Sequence, residues 1–347
     1  MSLQTWFQDL SIMTSATVAN LVAVVFFLLI LILIPALIGL ILPLFKNKLN
    51  NKTKVYMYSF VTGFFLVMSL FGFLREALEQ TSTSGALWLS SKFPNSSSNW
   101  IYLVNIGIIL GGFVVGVLFA FVVKFVISYR LNKKILSSKS KVAAFVHVHE
   151  HGDDKHEHVH PDFIFNREDT ISASEKVIVE KSESKLKIIA LILLLTHRIP
   201  EGFILGYSIN NLIAGQGNSD ISLAFIISLI LHLIPEEIVF YYRLREAGFS
   251  SWKAFFVSLI ALLLFLPFML AGSLLAPYIA SSYLWWAKAL MFAFISAIFL
   301  FTSLVEFFPE FYHSNFDKKS WIKVICSLFV GIMFCVFILL FHKHGGS

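Results

Sequence analysis

His197 and Glu201 stand four residues apart in "HRIPE", and His232 and Glu236 stand four apart in "HLIPE". On an α-helix, positions i and i+4 share one face, about 6 Å apart along the axis, so each segment offers an imidazole and a carboxylate to the same neighbour. Two such faces opposed make a four-ligand site. Neutral imidazole combined with carboxylate suits Zn²⁺ and also accepts Fe²⁺, Mn²⁺, Co²⁺ or Cd²⁺, with geometry deciding among them. One buried histidine is more often a hydrogen-bonded core group than a ligand. Repetition of the pattern in two successive apolar runs shifts that balance, because ionisable groups inside a membrane are expensive and mark ion paths. Pro200 and Pro235 remove the helical hydrogen bonds to the carbonyls of Thr196 and Leu231, which can open a helix beside a cavity. Gly202 and Gly206 permit close helix approach.

The elements that must hold these residues are membrane helices. The chain has 347 residues, 57% of them apolar and only 14% charged, which is too hydrophobic for an ordinary soluble core. Eight stretches have spanning length, near 17–45, 54–75, 101–129, 186–210, 221–244, 252–276, 286–308 and 319–342. The expected fold is all-α and polytopic, with helices one to three in 1–129, a long loop in 130–185 and helices four to eight in 186–347. Basic residues in short loops set the orientation. Lys46, Lys48, Lys52 and Lys54 follow the first span, Arg243, Arg245 and Lys253 lie between the fifth and sixth, and Lys318, Lys319 and Lys323 precede the eighth. These loops are expected in the cytoplasm, which leaves both termini outside. The same lysine excess accounts for the net charge of +6, so no nucleic-acid partner is expected. The first twenty residues lack a basic n-region and a cleavage site, so insertion is expected to use the first span itself. Trp100, Trp252, Trp285, Trp286 and Trp321 fall at span ends, where indole rings anchor at headgroups. Cys326 and Cys335 are separated by about 13 Å of helix rise and cannot pair with each other.

The loop 130–185 carries "FVHVHEHGDDKHEHVHPD". His147, His149, His151, His156, His158 and His160 crowd there with Glu150, Asp153, Asp154 and Glu157. That composition suits capture of borderline divalent metals, and its charge favours a mobile tract on the cytoplasmic side over a rigid site.

"HRIPEGFILG" and "HLIPEE" resemble the fourth and fifth transmembrane signatures of the ZIP family of divalent-metal transporters. "PALIGLILPLF", "GFLREALE" and "LVEFFPE" are similar to the family's endings of spans one, two and seven. The resemblance implies eight helices, and zinc uptake from outside to cytosol by alternating access. It further implies a bundle of spans one, four, five and six moving against a scaffold of two, three, seven and eight, and a homodimer, here in the plasma membrane. Carried over by position, it makes His197, Glu201, His232 and Glu236 the ligands of the transported metal, with no prosthetic group. The family often adds a second metal site beside the first, where this chain has Arg198 and Leu233 and an extra acid, Glu237. Arg198 cannot ligate a cation and stays charged. The expectation is a one-metal site with Arg198 in place of a second ion, paired to Glu237 or to a shared carboxylate.

Two other classes compete. In an intramembrane zinc hydrolase, His197 and His232 would hold the metal and Glu237 would act as base. In a non-transporting sensor, the histidine loop would carry the response. Glu76, Glu306 and Glu310 near span ends are candidates for metal-collecting vestibules, although acids at helix ends are more often simply solvated.

Overall fold

The computed structural model describes residues 3–45, 50–95, 97–136, 146–149, 158–161, 188–214, 223–279, 281–312 and 318–340. Nearly all of these are helical. In a hydrocarbon layer every backbone polar group must find its partner within its own segment, so even sequences rich in Val, Ile and Phe, which favour strands in water, coil into helices. The helix α2 (Ala16–Ile41) illustrates this with "VAVVFFLLILILIPALIGLI", and Ser15 caps it by accepting from the Val18 N–H at 3.2 Å. A short preceding helix, α1 (Leu3–Met13), was not apparent from hydropathy. It forms because Phe7 packs completely into α2, stacking on Phe27 at 6.2 Å.

The chain then runs through α3 (Asn51–Val67), α4 (Leu74–Gln80) and α5 (Ala86–Lys92) as one continuous rod, and next through α6 (Ser98–Leu136). Wider π turns at Met68–Phe73 and Thr81–Gly85 punctuate the rod, which extends well beyond the expected span 54–75. Past the loop come α7 (Ile188–Thr196), α8 (Arg198–Ile213), α9 (Leu223–Glu246), α10 (Ser251–Leu263), α11 (Phe265–Leu275), α12 (Ser281–Phe301), α13 (Phe308–Tyr312) and α14 (Lys318–Leu339). A third π turn, Thr302–Phe307, joins α12 to α13. Among the described residues, seven helical stretches are long and apolar enough to cross a membrane. The 24-residue α9, with Glu236, Glu237 and Arg243, is not one of the seven. Within the loop only two short strands are described, β1 (Val146–His149) and β2 (His158–Pro161), paired antiparallel.

Packing divides the helices into two groups. One core joins α1, α2, α8, α10 and α11 through residues such as Phe27, Ile209, Leu262 and Met269, and a second joins α3, α7, α12, α13 and α14 through Phe64, Leu194, Phe299, Phe311 and Cys335. The helix α9 faces both, giving Leu233 to the first core and Val239 to the second. Within the first group α8 and α11 touch backbone to backbone: a Cβ on Gly206 would collide with the Met269 carbonyl, and one on Gly272 with the Phe203 carbonyl. Within the second, buried hydroxyls replace water as hydrogen-bond partners. Ser59 and Ser327 donate across the α3–α14 contact at 2.7 Å each, Ser303 donates to the Thr62 carbonyl at 2.9 Å, and Ser69 to that of Ser296 at 2.8 Å.

Polar contacts also join α9 to the second group. Arg243, expected in a loop, lies inside α9 with 1% exposure. It donates from Nη1 to Glu310 Oε1 at 2.6 Å and from Nη2 to the Glu306 carbonyl at 3.1 Å, and its guanidinium lies 4.4 Å from the centroid of the Tyr58 ring. Tyr58 donates to Glu246 at 2.5 Å, and Lys54 pairs with the other oxygen of Glu246 at 3.3 Å. A helix end that reads as a solvated topological signal is thus buried, because the acids that neutralise it come from helices distant in sequence. Trp285 differs from its expected role similarly: it is 5% exposed and sits where Gly85 leaves room for its ring, whereas Trp100, Trp252 and Trp286 remain exposed. Removing the buried cation strands its acids, so Arg243→Gln is expected to destabilise the protein by about 3 kcal/mol. Lys54→Gln, at a partly exposed pair, should cost under about 1 kcal/mol. Denaturant unfolding in detergent measures both, and equal small losses would contradict the assignment.

Candidate metal site

The proline at 200 leaves a one-residue break between α7 and α8, and His197 occupies it. Pro200 has no N–H to give to the Thr196 carbonyl, while the Thr196 hydroxyl donates back to Leu193 at 2.9 Å. Helical bonding resumes with Glu201 N–H donating to the His197 carbonyl at 3.3 Å. Pro235, by contrast, is accommodated inside the continuous helix α9. The two H-x-I-P-E segments therefore share a pattern without sharing a backbone form. Packing makes the difference, since α7 contributes to the second core and α8 to the first, and the break lies between them.

The four sequence-predicted groups converge. His197 Nε2 is 3.3 Å from Glu236 Oε1 and 3.7 Å from Glu201 Oε2, and His232 Nε2 is 3.4 Å from Glu201 Oε1 and 3.7 Å from Glu236 Oε1. Their exposures are 0% for His197, 6% for Glu201, 4% for His232 and 0% for Glu236. Both Nε2 atoms, Glu201 Oε2 and Glu236 Oε1 are buried without a hydrogen-bond partner, an arrangement that costs free energy unless something else satisfies it. His232 is held by a hydrogen bond to the Ser228 backbone carbonyl, which leaves its Nε2 to face the carboxylates. The His197 ring is fixed instead by edge contact with Phe299 of α12, with centroids 4.5 Å apart. Among the described residues no group of three or more histidine, cysteine or acidic side chains is already closed up as a metal centre. The quartet is a looser convergence, with the pairs across the two segments at 3.3 and 3.4 Å and those within each segment at 3.7 Å.

Arg198 is 1% exposed. Its Nη2 lies 3.4 Å from Glu236 Oε2, and its guanidinium carbon is 5.6 Å from the Phe265 centroid and 5.9 Å from that of Phe240. Glu237, 1% exposed, turns away towards α2 and α10: a Cβ on Gly39 would lie 2.8 Å from its Oε1, and Ser258 is its polar neighbour. The Ser258 hydroxyl itself donates to the Phe255 carbonyl at 2.9 Å. The aromatic seat of Arg198 was not visible in the spacing of the motifs, since Phe265 belongs to another helix.

The remaining candidates lie apart from the quartet. Glu310 pairs with Arg243 at 2.6 Å and Glu306 with Lys124 at 3.3 Å, so both have structural partners, and Glu76 lies in the first turn of α4. In the loop, β1 and β2 pair His147 with His160 and His149 with His158, which places these four positions on one face of the ladder. His151 and His156, with Glu150, Asp153, Asp154 and Glu157, lie outside the described residues, as do Lys46 and Lys48.

No curated protein matches the chain. A family described as ZIP Zinc transporter matches residues 17–339, from the first turn of α2 to the end of α14. A paired H-x-I-P-E site between two packed helix groups, in a chain matched along nearly its whole length, leaves one conclusion: the protein belongs to the ZIP zinc transporter family.

Proposed function

We propose that the protein takes up divalent cations, zinc foremost, from outside into the cytosol through the quartet His197, Glu201, His232 and Glu236. It is an integral membrane protein of a transporter family, not an enzyme family, which sets aside the hydrolase reading. The observation that carries the proposal is the set of imidazole–carboxylate distances within the quartet. Donors about 2.0–2.2 Å from a tetrahedral zinc ion lie about 3.3–3.6 Å from one another. The four imidazole–carboxylate separations run from 3.3 to 3.7 Å, so the two imidazoles and two carboxylates already face one another at the spacing of ligands around a common ion. Fe²⁺, Mn²⁺, Co²⁺ and Cd²⁺ share the ligand chemistry and are competing substrates.

Alternating access fits a site whose four groups lie at the α7–α8 break, on α8 and on α9 while the ring against His197 comes from α12. Sliding of the two helix groups past each other would expose the quartet to either side in turn. With α9 counted as a span, which its length of about 36 Å permits, the chain crosses eight times and places both termini outside. The reading includes a homodimer in the plasma membrane, and it makes the paired histidines of the hairpin a collecting surface for metal on the cytoplasmic side.

Uptake of radioactive zinc into proteoliposomes tests this directly. Wild type should show saturable uptake, and the folded His197→Ala, Glu236→Ala double variant should fall to the empty-vesicle level. Because metal binds the deprotonated ligands, uptake should weaken as the pH is lowered. Absence of wild-type uptake with any of the five metals would rule the proposal out. Deletion of residues 147–160 should leave saturable flux in place; a variant that folds but no longer transports would move the essential site into the loop.

A further inference from the structure

The buried ionisable side chains among the described residues are His197, Arg198, Glu201, His232, Glu236, Glu237 and Arg243, besides the weakly acidic tyrosines and cysteine. Arg243 belongs to its own network with Glu246 and Glu310, two helical turns further along α9. The other six bring three carboxylates and one guanidinium close together, Glu201 and Glu236 facing the imidazoles and Glu237, the next residue along α9, turned towards Gly39. Counted with neutral imidazoles and all three carboxylates ionised, a single divalent cation balances them. A monovalent ion would leave a negative charge buried, and a second divalent ion would leave two positive charges, both costly where the dielectric is low. Arg198 is the one member of this balance that stays charged under all conditions.

The same residue divides the oxygens of Glu236. Oε2 lies 3.4 Å from Arg198 Nη2, whereas Oε1 faces the imidazoles at 3.3 and 3.7 Å. The contact to Oε2 is long for a hydrogen bond, but the guanidinium lies against the faces of Phe265 and Phe240 and is 1% exposed. Its Nε and Nη1 have no hydrogen-bond partner, so its polar interaction is directed at this one carboxylate.

We infer that Arg198 sets the charge the site accepts, one divalent cation at a time, and holds Glu236 to a single metal-facing oxygen. The inference rests on the transport reading above and assigns Arg198 as a positioning and specificity residue acting through Glu236. A permanent cation beside the ligands weakens metal binding, and that is useful here: transported ions must be held loosely enough to leave.

Zinc titration, zinc-edge X-ray absorption and proteoliposome uptake on purified wild type, Arg198→Gln and Arg198→Lys test it. In Arg198→Gln the first zinc ion should bind more tightly by a factor of roughly ten to a hundred, from loss of one nearby charge. Its coordination number should rise as Glu236 turns bidentate, and saturated turnover should fall together with the half-saturating concentration. Arg198→Lys keeps the charge and should remain within a few-fold of wild type in affinity. Unchanged or weaker first-ion binding in a folded Arg198→Gln overturns the inference. Should that variant not fold, Glu237→Gln supplies the opposite test: it removes a negative charge from the same balance, so zinc should bind more weakly with unchanged coordination, and equal or tighter binding overturns the inference. Wild type that binds no zinc, or binds it equally after His197→Ala, removes the transport-site reading and this inference with it. Binding that needs His197 but ignores both charge changes removes this inference alone.

Discussion

Glu236 has no contact with solvent, and its two oxygens are shared among three side chains, His197, Arg198 and His232. A buried carboxylate is tolerated only when its charge is neutralised and its lone pairs are used. Here one oxygen is turned to Arg198 and the other to His197 and His232, an arrangement that requires α8 and α9 to hold a fixed register. The break at His197, the close approach of α8 to α11 at Gly206 and Gly272, and the placement of Phe265 beneath the guanidinium are all consistent with that requirement.

The second buried arginine follows the same rule in a different setting. Arg243 draws Glu310, the Glu306 carbonyl and Glu246 around itself, and Tyr58 and Phe307 flank it at 4.4 and 5.2 Å. One arginine, Arg198 on α8, lies beside unsatisfied polar atoms, and the other, Arg243 on α9, within a nearly complete set of acceptors. That contrast separates a cluster left with unsatisfied polar atoms from one that fastens helices together. It also shows why Glu306 and Glu310, plausible as metal-collecting acids from their position near a span end, are better described as partners of Lys124 and Arg243.

Much of this protein was legible from residue order. The i, i+4 pairing of His and Glu put each imidazole and carboxylate on a common face before any packing was known, because helical periodicity alone puts those atoms on one side. Hydropathy located the long apolar helices for the same kind of local reason. It missed α1, whose single decisive contact is Phe7 against α2, and it placed Trp285 at an interface when Gly85 on another helix makes room for it inside. It treated Arg243 as a loop charge, since nothing local distinguishes an arginine that meets water from one that meets Glu310.

The amino-acid order fixed which atoms face together along each helix and that the backbone must be helical, because both follow from short-range geometry and from the absence of water in the bilayer. Which oxygen of Glu236 meets Arg198, that Pro200 breaks its helix while Pro235 does not, and that Glu237 turns towards Gly39 were settled by assembly. Those outcomes depend on side chains far apart in the chain, whose packing and charge balance exist only once the helices have come together.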